Sequence, residues 1–85
     1  MSVLHATDTV TIWTHGGQPT RMVWRGGRYR VTDTPTPFSD LLFGITHPPD
    51  IDGWRFQGTD KAGDSKVFDV RHVGGAEWVV VRVYD

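Results

Sequence analysis

The stretch Arg21-Met22-Val23-Trp24-Arg25-Gly26-Gly27-Arg28-Tyr29-Arg30-Val31 constrains the fold more than any other part of the chain. Adjacent glycines supply the positive φ angles of a two-residue hairpin turn, and such turns match the twist of the strands they join. A turn at Gly26-Gly27 sets Arg25 opposite Arg28, Trp24 opposite Tyr29, Val23 opposite Arg30 and Met22 opposite Val31. Side chains alternate along a strand, so one face carries Met22, Trp24, Tyr29 and Val31. The other carries Arg21, Arg25, Arg28 and Arg30, with Val23 its one apolar member. The first face needs a core. The second is a patch of four guanidiniums with no carboxylate inside the hairpin.

A chain of 85 residues suits a single domain, 1–85, and buries only roughly 60–65% of its unfolded surface. It has no cysteine, which removes disulfides and thiolate metal sites and leans towards a reducing compartment. Four Trp, four Phe and two Tyr let so short a chain fill a core, since each large ring buries roughly 150–250 Å². The net charge is −1, yet it is unevenly spread. Residues 20–31 hold four Arg and no acid, whereas residues 32–70 hold seven Asp against Arg55, Lys61 and Lys66. Such a dipolar surface can orient a partner. No apolar run approaches the roughly 18–20 residues that span a bilayer, and Met1–Thr9 lacks signal-peptide character. The expectation is a soluble, cytoplasmic protein with no membrane partner.

Met1–Thr9 is polar and expected to fray. Asp8–Trp13 alternates, with Val10 and Ile12 on one face and Thr9, Thr11 and Trp13 on the other. His15-Gly16-Gly17-Gln18-Pro19 is a turn, and Pro19, which cannot donate to a ladder, belongs at the start of a strand. The arginine hairpin follows. Residues 34–52 carry Pro35, Pro37, Pro48 and Pro49 and are too long for an ordinary hairpin loop. Within them Phe38–Gly44 suits one helical turn, and Leu41, Leu42, Phe43 and Ile45 suit a lid over one end of the sheet or an exposed contact surface. Gly53–Gly58 alternates, with Trp54 and Phe56 in and Arg55 and Gln57 out. Asp60–Asp64 is a polar turn. Lys66–His72 places Phe68 and Val70 on one face and Val67, Asp69 and Arg71 on the other, and Gly74-Gly75 turns the chain. In Glu77–Asp85 the Val79/Val81/Val83 face is the natural core face, leaving Trp78, Val80, Arg82 and Tyr84 opposite. The pattern is all-β: a small antiparallel, strongly bent sheet or partly open barrel of about six strands, with one Pro-rich excursion holding a helical turn.

Chemistry is sparse. There is no cysteine nucleophile, and Ser2, Ser39 and Ser65 have no nucleophile-elbow setting. No two of His5, His15, His47 and His72 are spaced as a helical metal pair. His47, Asp50 and Asp52 have ligand chemistry but no recognised metal spacing, so the plain reading is a polar loop. No enzyme activity, metal or cofactor is expected. The arginine face has three readings. It is a solvated face paired to nearby Asp residues, or a nucleic-acid surface, or a protein interface, where Arg, Trp and Tyr are enriched. For nucleic acid, arginines contact phosphates and exposed rings stack on bases. Arg21, Arg25, Arg28 and Arg30 would bind DNA or RNA, with Trp13, Arg55, Trp78, Arg82 and Tyr84 extending the surface if they lie near the hairpin. The slightly negative net charge weighs against this. The alternative is a protein-interaction module using the 41–45 lid or the Trp78/Arg82/Tyr84 face. Trp24, Trp54, Phe56 and Phe68 are expected in the core, and Trp13 and Trp78 are out of phase with their strands' aliphatic faces.

Gln18-Pro19-Thr20-Arg21, Trp24–Val31, Gly53-Trp54-Arg55 and Glu77-Trp78 running to Arg82–Asp85 resemble a family of small uncharacterised actinobacterial proteins. That family is similar to the C-terminal segment of ImuB-type proteins, inactive relatives of Y-family DNA polymerases in mutagenic repair. The family pattern is Pro-x-Arg, then Gly-Arg-x-Tyr-x-Val, then Gly-x-Trp, then a closing Trp followed by Val-Tyr/Phe-Asp. The resemblance covers about a third of the chain, and residues 34–52 depart from it. It implies an accessory module without polymerase activity, bound to DNA or to a DNA-repair protein, and it carries over no catalytic residue.

Overall fold

A sheet of short strands leaves unpaired edges unless it closes on itself, and this chain closes. A computed structural model describes residues 3–41 and 52–85. In order these form β1 (Val3–His5), β2 (Thr9–His15), β3 (Gln18–Trp24), β4 (Gly27–Val31), β5 (Thr36–Pro37), the helical turn α1 (Phe38–Leu41), β6 (Gly53–Thr59), β7 (Ser65–Gly74) and β8 (Glu77–Tyr84). Every pairing is antiparallel, and β2, β3, β4, β6, β7 and β8 form a ring that returns from β8 to β2. β1 pairs with the C-terminal part of β8 and β5 with the N-terminal part of β6. β1 and β2 thus act as one stave bent at residues 6–8, and β4 and β5 as one bent at residues 32–35. The fold is a six-stave meander, each stave beside its neighbour in sequence. Residues 3–5, expected to fray, have exposed side chains but pair with β8 through Val3–Tyr84, Leu4–Val83 and His5–Arg82.

The core follows the apolar alternation. Phe56 and Phe68 face each other across β6 and β7 with no exposed surface. Phe68 meets Trp24 edge-on at 5.5 Å and Tyr29 at 5.0 Å between ring centroids. Val10, Met22, Val70, Val80 and Val83 complete the buried set with Trp24 and Trp78. Gly53 is buried, and a β-carbon there would stand 2.5 Å from the Val70 carbonyl oxygen and 2.7 Å from the Phe38 ring, so only glycine fits. The Pro-rich segment therefore returns to the barrel at Phe38. Of the expected lid at 41–45, residues 42–45 lie outside the described residues.

Two expectations are corrected. The hairpin turns at Arg25-Gly26, not Gly26-Gly27, so Trp24 pairs with Gly27, Met22 with Tyr29, Val23 with Arg28 and Arg21 with Arg30. Both central residues have positive φ, 51° and 77°, as this kind of turn demands. The register differs by two residues along the partner strand, so every side chain keeps its face; a slip of one would have reversed them. In β8 the core face is Trp78, Val80 and Val83, not Val79, Val81 and Val83. Asp69 pairs with Arg82 but Val70 pairs with Val80. Val81 is thus the extra residue of a β-bulge, which bends the strand and switches its alternation. Arg82 and Tyr84 stay outside as expected, whereas Trp78 goes in.

The bulge predicts an inversion of the apparent alternation. Val80→Thr buries a hydroxyl without room for water and should cost about 1–3 kcal/mol, and Val79→Thr should cost less. Urea denaturation compares them, and a larger loss at Val79 would contradict the bulge.

Candidate nucleic-acid interface

Strand register builds a row of side chains across the outside of the barrel. Trp13 on β2 pairs with Arg21 on β3, Arg21 with Arg30 on β4, and Arg30 with Thr59 on β6. Paired residues project from the same face of a sheet. Arg28 lies two residues along β4 from Arg30 and so on the same face. Lys61 comes from the β6–β7 turn, which Asp60 shapes by accepting the Ala62 and Asp64 N–H groups at 2.9 and 3.0 Å. Between the turn and the hairpin runs a groove of about 620 Å³ lined by Trp13, Arg21, Val23, Arg28, Arg30, Thr59, Asp60 and Lys61, with Met22 and Tyr29 at its floor. It adjoins a second hollow of about 400 Å³ at the hairpin tip, which shares Arg28, Asp60 and Lys61.

The charges around the groove are unbalanced. Among the described residues, Arg21, Arg28, Arg30 and Lys61 form no ion pair; the ion pairs that exist engage Asp8, Asp52, Asp69 and Asp85 with other cations. Among the described residues Asp60 is the one carboxylate in the groove lining, and its Oδ1 accepts the backbone of its own turn. Trp13 is 44% exposed, and the Arg21 guanidinium carbon lies 5.6 Å from its ring centre.

The remaining residues expected to share this surface lie elsewhere. Arg25, at the turn, donates from Nε to Asp8 Oδ2 at 2.6 Å and lies 4.7 Å over the Trp24 ring. Trp24 Nε1–H donates to the same oxygen at 2.8 Å. Hydrogen bonds from Arg25 and then Trp24 hold the Asp8 carboxyl below the ordinary carboxylate range. Arg55 belongs to a cluster on the outside of β6, β7 and β8. Its Nε and Nη2 reach the two oxygens of Asp69 at 2.7 and 3.0 Å. Tyr84 donates its hydroxyl to Asp69 Oδ2 at 3.0 Å and accepts from Arg55 Nη2 at 2.9 Å. Arg82 approaches the same carboxylate at 3.9 Å. The hydrogen bond to Asp69 raises the Arg55 pKa above its ordinary value. Asp69 is only 2% exposed although it projects outward, and this forked pair together with the Tyr84 hydroxyl satisfies it. Trp78 is 8% exposed and stacks on His72 at 4.6 Å, so it offers no ring to a ligand.

Asp52, from the loop with ligand chemistry, accepts from His72 Nδ1 at 2.8 Å, while His72 Nε2 reaches the Gly75 carbonyl at 2.6 Å; His47 and Asp50 lie outside the described residues. Acceptors at both nitrogens favour the protonated ring. The Gly75 carbonyl, then Asp52, raise its pKa above the ordinary 6.5.

Lys61 and Thr59 were absent from the expected site because their segment is legible only as a polar turn and a strand end. The usable signal was that β6 must run beside β4, which places the following turn against the hairpin. Comparison with family models, with curated proteins and with solved structures finds no match.

Two outcomes follow. Arg55→Ala leaves the buried Asp69 with the Tyr84 hydroxyl as its remaining hydrogen bond, so it should lower stability by about 2–4 kcal/mol, below the full cost of a wholly buried pair because solvent reaches the guanidinium. Arg30→Ala, which breaks no ion pair, should stay within about 0.5 kcal/mol; equal losses in urea denaturation would contradict the division. A raised folded-state pKa gives His72 a stabilising contribution that is complete below pH 6.5, the unfolded value, and lost as pH rises through the folded value. His72→Gln should therefore flatten the decline in stability above pH 6.5, and an unchanged pH profile would refute the ionic contact.

Proposed function

We propose that this protein is a non-enzymatic binding module, acting in the cytoplasm, whose groove holds a nucleic-acid backbone between the arginine hairpin and the β6–β7 turn. The observation that carries this reading is the set of four cations, Arg21, Arg28, Arg30 and Lys61, gathered around one groove without ion pairs among the described residues in a chain of net charge −1. The overall charge had argued against nucleic acid. The pairs reverse the weight of that argument, because Asp8, Asp69 and Asp85 pair with Arg25, Arg55, Arg82 and Lys66, away from the groove cations. Local potential, not net charge, draws a polyanion to a surface. DNA or RNA fits equally by charge. The resemblance to ImuB-type C-terminal segments lies in β3, β4, β6 and β8 and favours DNA in a repair setting, with a DNA-repair protein as a further partner.

Four phosphate contacts to a single strand predict that log affinity falls with log salt at a slope of about −3. Arg28→Ala combined with Arg30→Ala should halve that slope and weaken binding, while Arg25→Ala and Arg82→Ala should change neither by much. Fluorescence anisotropy with a labelled oligonucleotide measures both quantities. A salt-insensitive complex, or an unchanged slope in the double variant, would rule the groove out.

A further inference from the structure

The row that crosses the groove ends in an aromatic ring, and this says which form of nucleic acid the groove takes. Resting on the groove reading above, we infer that the ligand is a single strand and that Trp13 stacks one of its bases, with Arg21 on the ring's other face.

Trp13 is unlike the other tryptophans. Trp24 and Trp78 are buried and Trp54 packs against the core, whereas the Trp13 indole projects outward and stays 44% exposed. Its backbone is fixed. The β2–β3 pairing shifts register between Trp13 and Thr14, and the extra residue, Thr20, donates its hydroxyl to the Trp13 carbonyl at 3.1 Å. Its ring has a cation beside it, the Arg21 guanidinium carbon lying 5.6 Å from the ring centre. An exposed indole held in place beside a cation suits a base, since every base has a π-face and stacking tolerates any sequence.

The neighbours along the row continue the match. Strands lie about 4.8 Å apart, so the three steps from Trp13 through Arg21 and Arg30 to Thr59 span about 14 Å. Thr59 closes the row with hydroxyls, its Oγ1 lying 2.9 Å from that of Thr32 and 2.8 Å from Ser65 Oγ. A strand laid across the barrel would meet a ring for a base, guanidiniums for phosphates, then hydroxyls suited to sugar and phosphate oxygens. In a duplex the base faces are stacked inside and unavailable to Trp13. The groove, at about 620 Å³, has the capacity of a ligand pocket, room for a short run of one strand.

The test reads affinity by isothermal titration calorimetry and stacking by intrinsic tryptophan fluorescence, with three probes: a short oligothymidylate, a hairpin duplex with the same number of phosphates, and inorganic polyphosphate. The oligothymidylate should bind most tightly and quench the emission. Trp13→Phe should keep most of the affinity and lose most of the quenching. Trp13→Ala should weaken the oligothymidylate by about tenfold or more and leave duplex and polyphosphate binding as they were. A duplex that binds as tightly as the single strand, or a Trp13→Ala loss that is equal for all three probes or absent, would overturn the single-strand inference while leaving a basic groove. Failure of all three probes to bind would overturn the groove reading and this inference with it.

Discussion

Closure of the sheet between β2 and β8 is the constraint on which the rest of this structure depends. The seam is short. Thr9 pairs with Val79 and Val10 with Trp78, flanked by bonds from Val80 N–H to the Asp8 carbonyl at 2.9 Å and from Ala6 N–H to the Val81 carbonyl at 3.1 Å. To make it, β8 must exchange β1 for β2 as its neighbour and turn a different set of side chains inward. The bulge at Val81 does both at one residue. Residues 6–8 make the matching bend on the other side of the seam. A sheet of this size without closure would expose two edges able to pair with other chains.

Asp8 links this seam to the arginine hairpin. Its carbonyl belongs to the β2–β8 ladder, and its carboxylate accepts both the Trp24 indole N–H and the Arg25 guanidinium. Arg25 occupies a left-handed backbone conformation that an ordinary residue adopts at a cost of about 1–2 kcal/mol, and the ion pair with Asp8 and the stack on Trp24 help hold it there. One guanidinium is thereby tied to the fold. Arg55 is tied likewise by Asp69 and Tyr84. Arg25, Arg55 and Arg82 meet a carboxylate while Arg21, Arg28 and Arg30 line the groove, so the positive charge of the groove follows from which acids the topology brings to which bases.

The partition of the hairpin was legible in the sequence even though its register was not. Alternation alone fixes which residues share a face, and the two-residue difference between the expected and observed pairings leaves that partition intact. Val10, Ile12, Phe56, Phe68 and Val70 were legible for the same reason. Trp78 was not, because a bulge leaves no mark on a run of valines, and an unbroken alternation through Val79, Val81 and Val83 points the wrong way. The fate of Arg25 was hidden too, since Asp8 is 17 residues distant and reaches it only when the barrel closes. Asp69 sits in an unambiguous outward position, yet its burial comes from Arg55, Tyr84 and Arg82 on two neighbouring strands. Alternation assigns faces; it does not say which charges on a face will find each other.

The most direct test of the central claim, that closure leaves the groove cations available and ties Arg25 and Arg55 to carboxylates, is an amide and side-chain chemical-shift titration with a short single-stranded DNA at low and at moderate salt. The account predicts shifts at Arg21, Arg28, Arg30, Lys61 and the Trp13 indole N–H that diminish as salt rises, with Arg25, Arg55 and the Trp24 indole N–H nearly still. Shifts centred on Arg55, Arg82 and Tyr84, or a spectrum that does not respond, would contradict it.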